Sequence, residues 1–97
     1  MIYHITTNKH WKAAQAAGTY EADSLQEEGF IHTSKNEQVK DVLHRYYHKA
    51  TDLVLLHIDE SKLTSPLVYE LAPTVNEIYP HIYGPLNLDA VVKTEAL

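Results

Sequence analysis

The 97-residue chain has no cysteine, no long apolar run and fewer cations than anions. Each lack removes a class of function. Without cysteine there are no disulfides, no thiolate zinc sites and no thiol nucleophile, a composition that fits a cytoplasmic chain. No apolar stretch approaches the roughly 20 residues that a membrane-spanning helix needs. The N-terminus, Met1-Ile2-Tyr3-His4-Ile5, has no basic region, apolar segment or small-residue cleavage site, so no secretory signal is expected. Lysine and arginine number 8 against 13 acidic residues, and they are dispersed. A broad nucleic-acid surface is therefore not expected, because phosphate backbones demand clustered cations. Repeats, low-complexity tracts and interdomain linkers are also lacking, which leaves one domain spanning 1–97. At that length one core should bury roughly two-thirds of the surface that the unfolded chain exposes.

What the chain has in excess is histidine and tyrosine, seven of each, beside one tryptophan and one phenylalanine. Both side chains join an apolar body to a polar tip, which suits a wet cleft better than a dry core. Protonating all seven imidazoles would carry the net charge from −5 to +2, so solubility should respond to mild acid.

Periodicity gives a coarse order of elements. Residues 2–6 read as a short strand, rich in β-branched and aromatic types. Thr7 or Asn8 can cap a helix over Lys9–Ala17 that Gly18 ends. Ser24 and Glu27 have capping-box spacing in one turn stopped by Gly29, and Phe30–Thr33 follows as a second short strand. Ser34 and Glu37 form another capping box ahead of Val39, Val42, Leu43, Tyr46 and Tyr47, a full amphipathic stripe. The apolar run Leu53–Ile58 predicts a central strand buried on both faces. Leu67–Leu71 alternates, with Glu70 on the face opposite Leu67, Tyr69 and Leu71. Pro80 and Pro85 forbid a regular central strand over 78–85, which predicts an edge strand or a fixed loop there. Leu88–Thr94 closes the chain as a last strand. The class is α+β: a small mixed, bent sheet of five or six strands with two or three helices packed on it.

Position then sorts the histidines. His44 and His48 have the i, i+4 spacing that can chelate a metal, but they fall opposite the apolar stripe with no third ligand near, as a solvated face would. His10 is expected exposed, and His57 is expected in the core with a hydrogen bond. His4, His32 and His81 lie in extended apolar segments, where a titratable ring is costly without partners. By alternation His4 shares a face with Ile2 and Thr6, His32 with Phe30 and Ser34, and His81 with Tyr79 and Tyr83. Converging faces would make a cleft able to grip a polar ligand and move protons near neutral pH. Three such imidazoles could alternatively hold a zinc-type metal. No Gly-x-Ser-x-Gly elbow marks Ser34 as a nucleophile, yet the helix N-terminus it would cap offers free N–H groups to an anion. Glu70 faces either solvent or this cleft, Glu77 precedes the Ile78–His81 segment in an exposed loop, and Gly84-Pro85 reads as a turn.

Four stretches, Tyr3–Thr6, Tyr20–Leu25, Gly29–Ser34 and Pro80–Leu86, resemble in this order the domain-of-unknown-function 952 family, along essentially the whole chain. Thr33 stands where that family often carries cysteine and Tyr79 where it usually carries phenylalanine, so thiol chemistry common to the family is excluded here. The resemblance implies no established activity. It does imply remote kinship with ADP-ribosyltransferase-like folds and RNA 2′-phosphotransferases, a split bent sheet with a cleft for NAD or a nucleotide phosphate. Carried over, His4 would grip the nucleotide, His32 with Ser34 would assist, and Glu70 would polarise a ribose hydroxyl. His81 or Glu70 would handle protons, and Tyr20, Ser24, Tyr79 and Tyr83 complete the ligand-binding set. The implied ligand is a nucleotide or similar anionic metabolite, with transfer or hydrolysis at a ribose or phosphate. The alternative is a module that binds a metabolite or peptide without chemistry.

Overall fold

In the computed structural model, which describes all 97 residues, the apolar run Leu53–Ile58 forms strand β4 between β1 (Ile2–Thr7) and β8 (Val91–Ala96). Both of its faces are covered, as the run predicts. Val54, Leu56 and Ile58 point into the main core with Ile2, Trp11, Ala14 and Tyr20. Leu53 and Leu55 join Ile5 in a second cluster, covered by α3 (Val39–Tyr47) through Val39, Val42, Leu43 and Tyr47. Tyr46, the remaining member of the helical stripe, is 63% exposed.

A second sheet has the order β3-β6-β5, with β3 at Ile31–His32, β5 at Leu67–Ala72 and β6 at Glu77–Ile82. The short strands β2 (Thr19–Tyr20) and β7 (Leu86–Asn87) form a third ladder. Beyond β3, Tyr3 N–H donates to the Ser34 carbonyl at 2.9 Å and Ser34 N–H returns a bond to Tyr3 at 2.8 Å. That bridge links β1 of the first sheet to the segment just beyond β3 of the second. Every ladder is antiparallel, not mixed as expected, because no helix closes a parallel crossover within one sheet. The α+β class itself stands, with three α-helices packed on the strands.

β6 also differs from expectation, since it is the middle strand of its sheet despite Pro80. The Pro80 carbonyl faces β3, where it accepts from Thr33 N–H at 3.2 Å and from Thr33 Oγ1 at 2.7 Å. The N–H that proline lacks would point the same way, towards the point where short β3 ends. The long β5–β6 ladder therefore loses nothing, and one side-chain bond compensates on the β3 side.

The helix α1 (Asn8–Ala17) is capped by Thr7, whose Oγ1 accepts from His10 N–H at 3.0 Å, and Gly18 ends it in the left-handed region. Neither serine of the two expected capping boxes caps. Ser24 lies inside α2 (Asp23–Glu28), and its Oγ donates to the Phe30 carbonyl at 2.8 Å. Ser34 is drawn into the bridge, so Gln38 Oε1 accepts the Lys35 N–H at 2.9 Å ahead of α3. The last strand starts later than expected, after a 3-10 turn at Leu88–Ala90.

Candidate functional site

Strand register decides which side chains share a face. His32 pairs with His81, His81 with Val68, and Tyr79 with Glu70, so His32, His81, Tyr79 and Glu70 project from one side of the β3-β6-β5 sheet. The Phe30 ring stacks on His81 at 4.0 Å and 20°, and His32 stands edge-on to His81 at 5.4 Å. Helix α3 faces this surface across a cleft of about 580 Å³. Phe30, His32, Thr33, Ser34 and His81 line its floor. Val42, Tyr46 and Tyr47 wall it on the helix side, and the 71–75 turn with Tyr79 on the other.

His81 is the best-oriented group in the cleft. Its Nδ1 lies 2.7 Å from Glu70 Oε1, to which Tyr83 Oη also donates at 2.5 Å. The Tyr83 hydroxyl first, and His81 second, hold the Glu70 carboxyl below its ordinary range, while the carboxylate pushes the Tyr83 phenol up. An ionised Glu70 only accepts, so in the neutral ring the His81 proton sits on Nδ1 and the lone pair is left on Nε2. Nε2 has no protein hydrogen-bond partner, and the ring lines the cleft. A neutral imidazole fixed at one nitrogen and open at the other is the geometry of a general base. His32 has a weaker hold at the rim: its Nε2 meets Glu28 Oε2 at 2.7 Å, with both side chains about half exposed.

His4 and Tyr20 lie behind the cleft instead of in it. His4 Nδ1 is 2.6 Å from the His32 carbonyl, which can only accept, so this nitrogen carries the proton. Burial holds the His4 pKa down to about 4, and the neutral ring accepts at Nε2 from Tyr20 Oη, 2.7 Å away. Thr6 Oγ1, 3.1 Å from Tyr20 Oη, is then the donor to the phenol oxygen. Burial pushes Tyr20 itself up to about 12. Both residues thus support the backbone of His32 from the core, which corrects the expectation that they touch ligand. Ser24 likewise supports the floor, by holding the Phe30 carbonyl. Tyr83 lies outside the lining and acts on Glu70.

Two polar groups of the cleft have no partner. Tyr79 Oη is buried without a hydrogen bond, and Ser34, also buried, makes none through its side chain. The Arg45 guanidinium stands 5.7 Å from the Tyr46 ring centroid and lies outside the lining of the cleft. Periodicity assigns Tyr46 and Tyr47 wholly to packing and does not single out Phe30, yet all three line the cleft.

No group of three or more His, Cys, Asp or Glu side chains is arranged to hold a metal, and His4, with both nitrogens engaged, cannot complete a centre with His32 and His81. His44 and His48 stay on the outer face of α3, ring centroids 6.3 Å apart. His10 and His57 are partly exposed, bonded to the Glu21 carbonyl at 3.2 Å and to Glu95 at 2.9 Å. The strand-one histidine that the resemblance would set against NAD is sealed in the core. No helix is long and apolar enough to cross a membrane.

The sequence profile of the family described as protein of unknown function (DUF952) matches residues 5–94, and the chain belongs to that family. Its fold is similar to that of protein CC0527 from Caulobacter crescentus. The crystal structure of CC0527 is 30% identical over 97% of this chain and 82% of that one, with a TM-score of 0.88. The solution NMR structure of the same protein is 31% identical over 99% and 83% of the two chains, with a TM-score of 0.85. No curated protein matches the chain.

Proposed function

We propose that the cleft binds a small anionic metabolite with an aromatic body, a nucleotide being the leading case, and that His81 moves a proton on it. One observation carries the reading: His81 is held at Nδ1 by Glu70, while its open Nε2 belongs to a ring lining the cleft. Glu70 is the positioning residue, since it fixes the tautomer. The aromatic walls of Phe30, Tyr46 and Tyr47 suit a base or other flat ring. Ser34 Oγ and the unpartnered Tyr79 hydroxyl suit an anion. The reaction class is transfer or hydrolysis at a ribose or phosphate, and the two antiparallel sheets linked through Tyr3 and Ser34 are the feature that supports remote ADP-ribosyltransferase-like kinship, at the level of fold alone.

The test is a titration of the 15N-labelled chain with NAD, 2′-phosphorylated mononucleotides and an uncharged nucleoside, with products followed by 31P NMR. Saturable shifts at His32, Ser34, Tyr79 and His81, larger with the phosphorylated compounds, are expected. His81→Gln should lower any turnover by about 100-fold or more, with binding changed only a few-fold. Shifts confined to the outer face of α3, or none at all, would refute the site.

A further inference from the structure

We propose that the chain forms a two-fold homodimer in which β5 pairs antiparallel with β5 of a second copy. This goes beyond the reading of the cleft and does not depend on it. β5 is the free edge of the β3-β6-β5 sheet. Its outward hydrogen-bonding groups follow from Pro80. Because the Pro80 carbonyl is turned to Thr33 just beyond β3, the flanking Tyr79 and His81 exchange the ladder bonds with Glu70 and Val68. Tyr83 N–H, donating to the Pro66 carbonyl at 2.8 Å, is in the same phase. The backbone groups of Leu67, Tyr69 and Leu71 therefore point away from the sheet.

That triplet is symmetric about Tyr69. Antiparallel self-pairing sets Tyr69 against Tyr69 of the partner subunit and Leu67 against Leu71 of the partner subunit, so every outward donor meets an outward acceptor. The only charge on the strand is Glu70, bound to His81 and Tyr83 in its own chain, and it would face Val68 of the partner subunit. No charge meets its like directly.

The contrast with the other open edge points to a second copy. β8 carries Lys93 and Glu95, and the β4–β8 ladder is broken by a register shift at His57/Ile58, devices that discourage pairing. β5 has no lysine, no proline and no register shift. Five of the nine exposed large apolar residues, Val68, Tyr69, Leu71, Ile78 and Tyr83, lie on or next to the β5–β6 ribbon, Leu71 at 57% and Tyr69 at 46%. The dimer is a continuous six-stranded sheet with both clefts opening on the same face.

Light scattering on the eluting full chain should give twice the 11.1 kDa of one copy, and Tyr69→Lys should give the single-chain mass with an unchanged circular dichroism spectrum. Register is tested by single cysteines, which the natural chain lacks. Paired residues in this ladder lie about 5.5 Å apart at Cα, within disulfide reach. Tyr69→Cys should cross-link on mild oxidation, and Val68→Cys, two residues out of register with its counterpart, should not. A single-chain mass at every concentration, a dimer indifferent to Tyr69→Lys, or equal cross-linking of both variants would each overturn the proposal. Capture of an extended peptide by a monomeric chain would overturn it too, in favour of strand addition by another partner.

Discussion

His4 shows how a titratable ring becomes part of a scaffold. Alternation assigns its face correctly, with Ile2 and Thr6, but alternation does not say whether core or cleft lies opposite. The opposing layer proves to be Tyr20 and the His32 carbonyl. The consequence is a pH dependence of stability. Burial lowers the folded pKa from 6.5 to about 4, so between those values the unfolded chain binds a proton that the folded chain refuses. The stabilisation is complete above about pH 6.5 and is lost as pH falls towards 4, amounting to roughly 3 kcal/mol. Urea midpoints at pH 7 and pH 4.5 should separate by less in His4→Gln than in the parent. Equal separation would place the titration elsewhere. His32 and His81 were legible from the same alternation, because both sit on strands whose partners continue their faces. The capping spacing of Ser34 with Glu37 is a local feature, whereas the bridge to Tyr3 that claims Ser34 is a long-range event.

Among the elements, β6 carries the clearest lesson. Two prolines argue against a central strand in general, yet one proline is harmless where its missing donor faces a neighbour that has already ended. Local sequence cannot supply the length of that neighbour. The turn after β6 is legible, and Gly84 is its fixed point. Its φ of 153° is a conformation that side chains rarely adopt, and a Cβ there would lie 2.5 Å from Ser65 Oγ and 2.9 Å from Ser65 Cβ. Ser65 is itself tied down, donating to the Pro85 carbonyl at 2.7 Å. Gly84→Ala should therefore cost about 1–3 kcal/mol, read as a fall in the thermal midpoint. An unchanged midpoint would mean that Ser65 moves aside freely.

Across the whole molecule the cleft exists because α3 has two tasks. Part of its stripe covers Ile5, Leu53 and Leu55, and the rest overhangs the second sheet, where Tyr46 and Tyr47 meet the imidazole floor. The α+β class and the order of most elements could be read from periodicity, which is local. The meeting of α3 and β6 at one cleft could not, since it joins segments distant in sequence, as the Tyr3–Ser34 bridge does. This division of labour separates stability from binding. Leu56, fully buried at the centre of β4, should cost about 2–5 kcal/mol when truncated to alanine. Tyr46→Ala, at an exposed position, should leave the unfolding midpoint within about 0.5 kcal/mol of the parent and weaken ligand binding in the cleft. Equal losses of stability in both variants would contradict the assignment of Tyr46 to the site.

The centre of the account is the orientation of His81 by Glu70. The most direct measurement is a long-range 1H–15N correlation spectrum of the histidine side chains in the folded chain, above the pH at which the ring is charged. The His81 proton is predicted on Nδ1, with Nε2 showing the shift of a bare, lone-pair nitrogen, and Glu70→Gln should weaken that preference. A proton found on Nε2 of His81 in the parent chain would contradict the account.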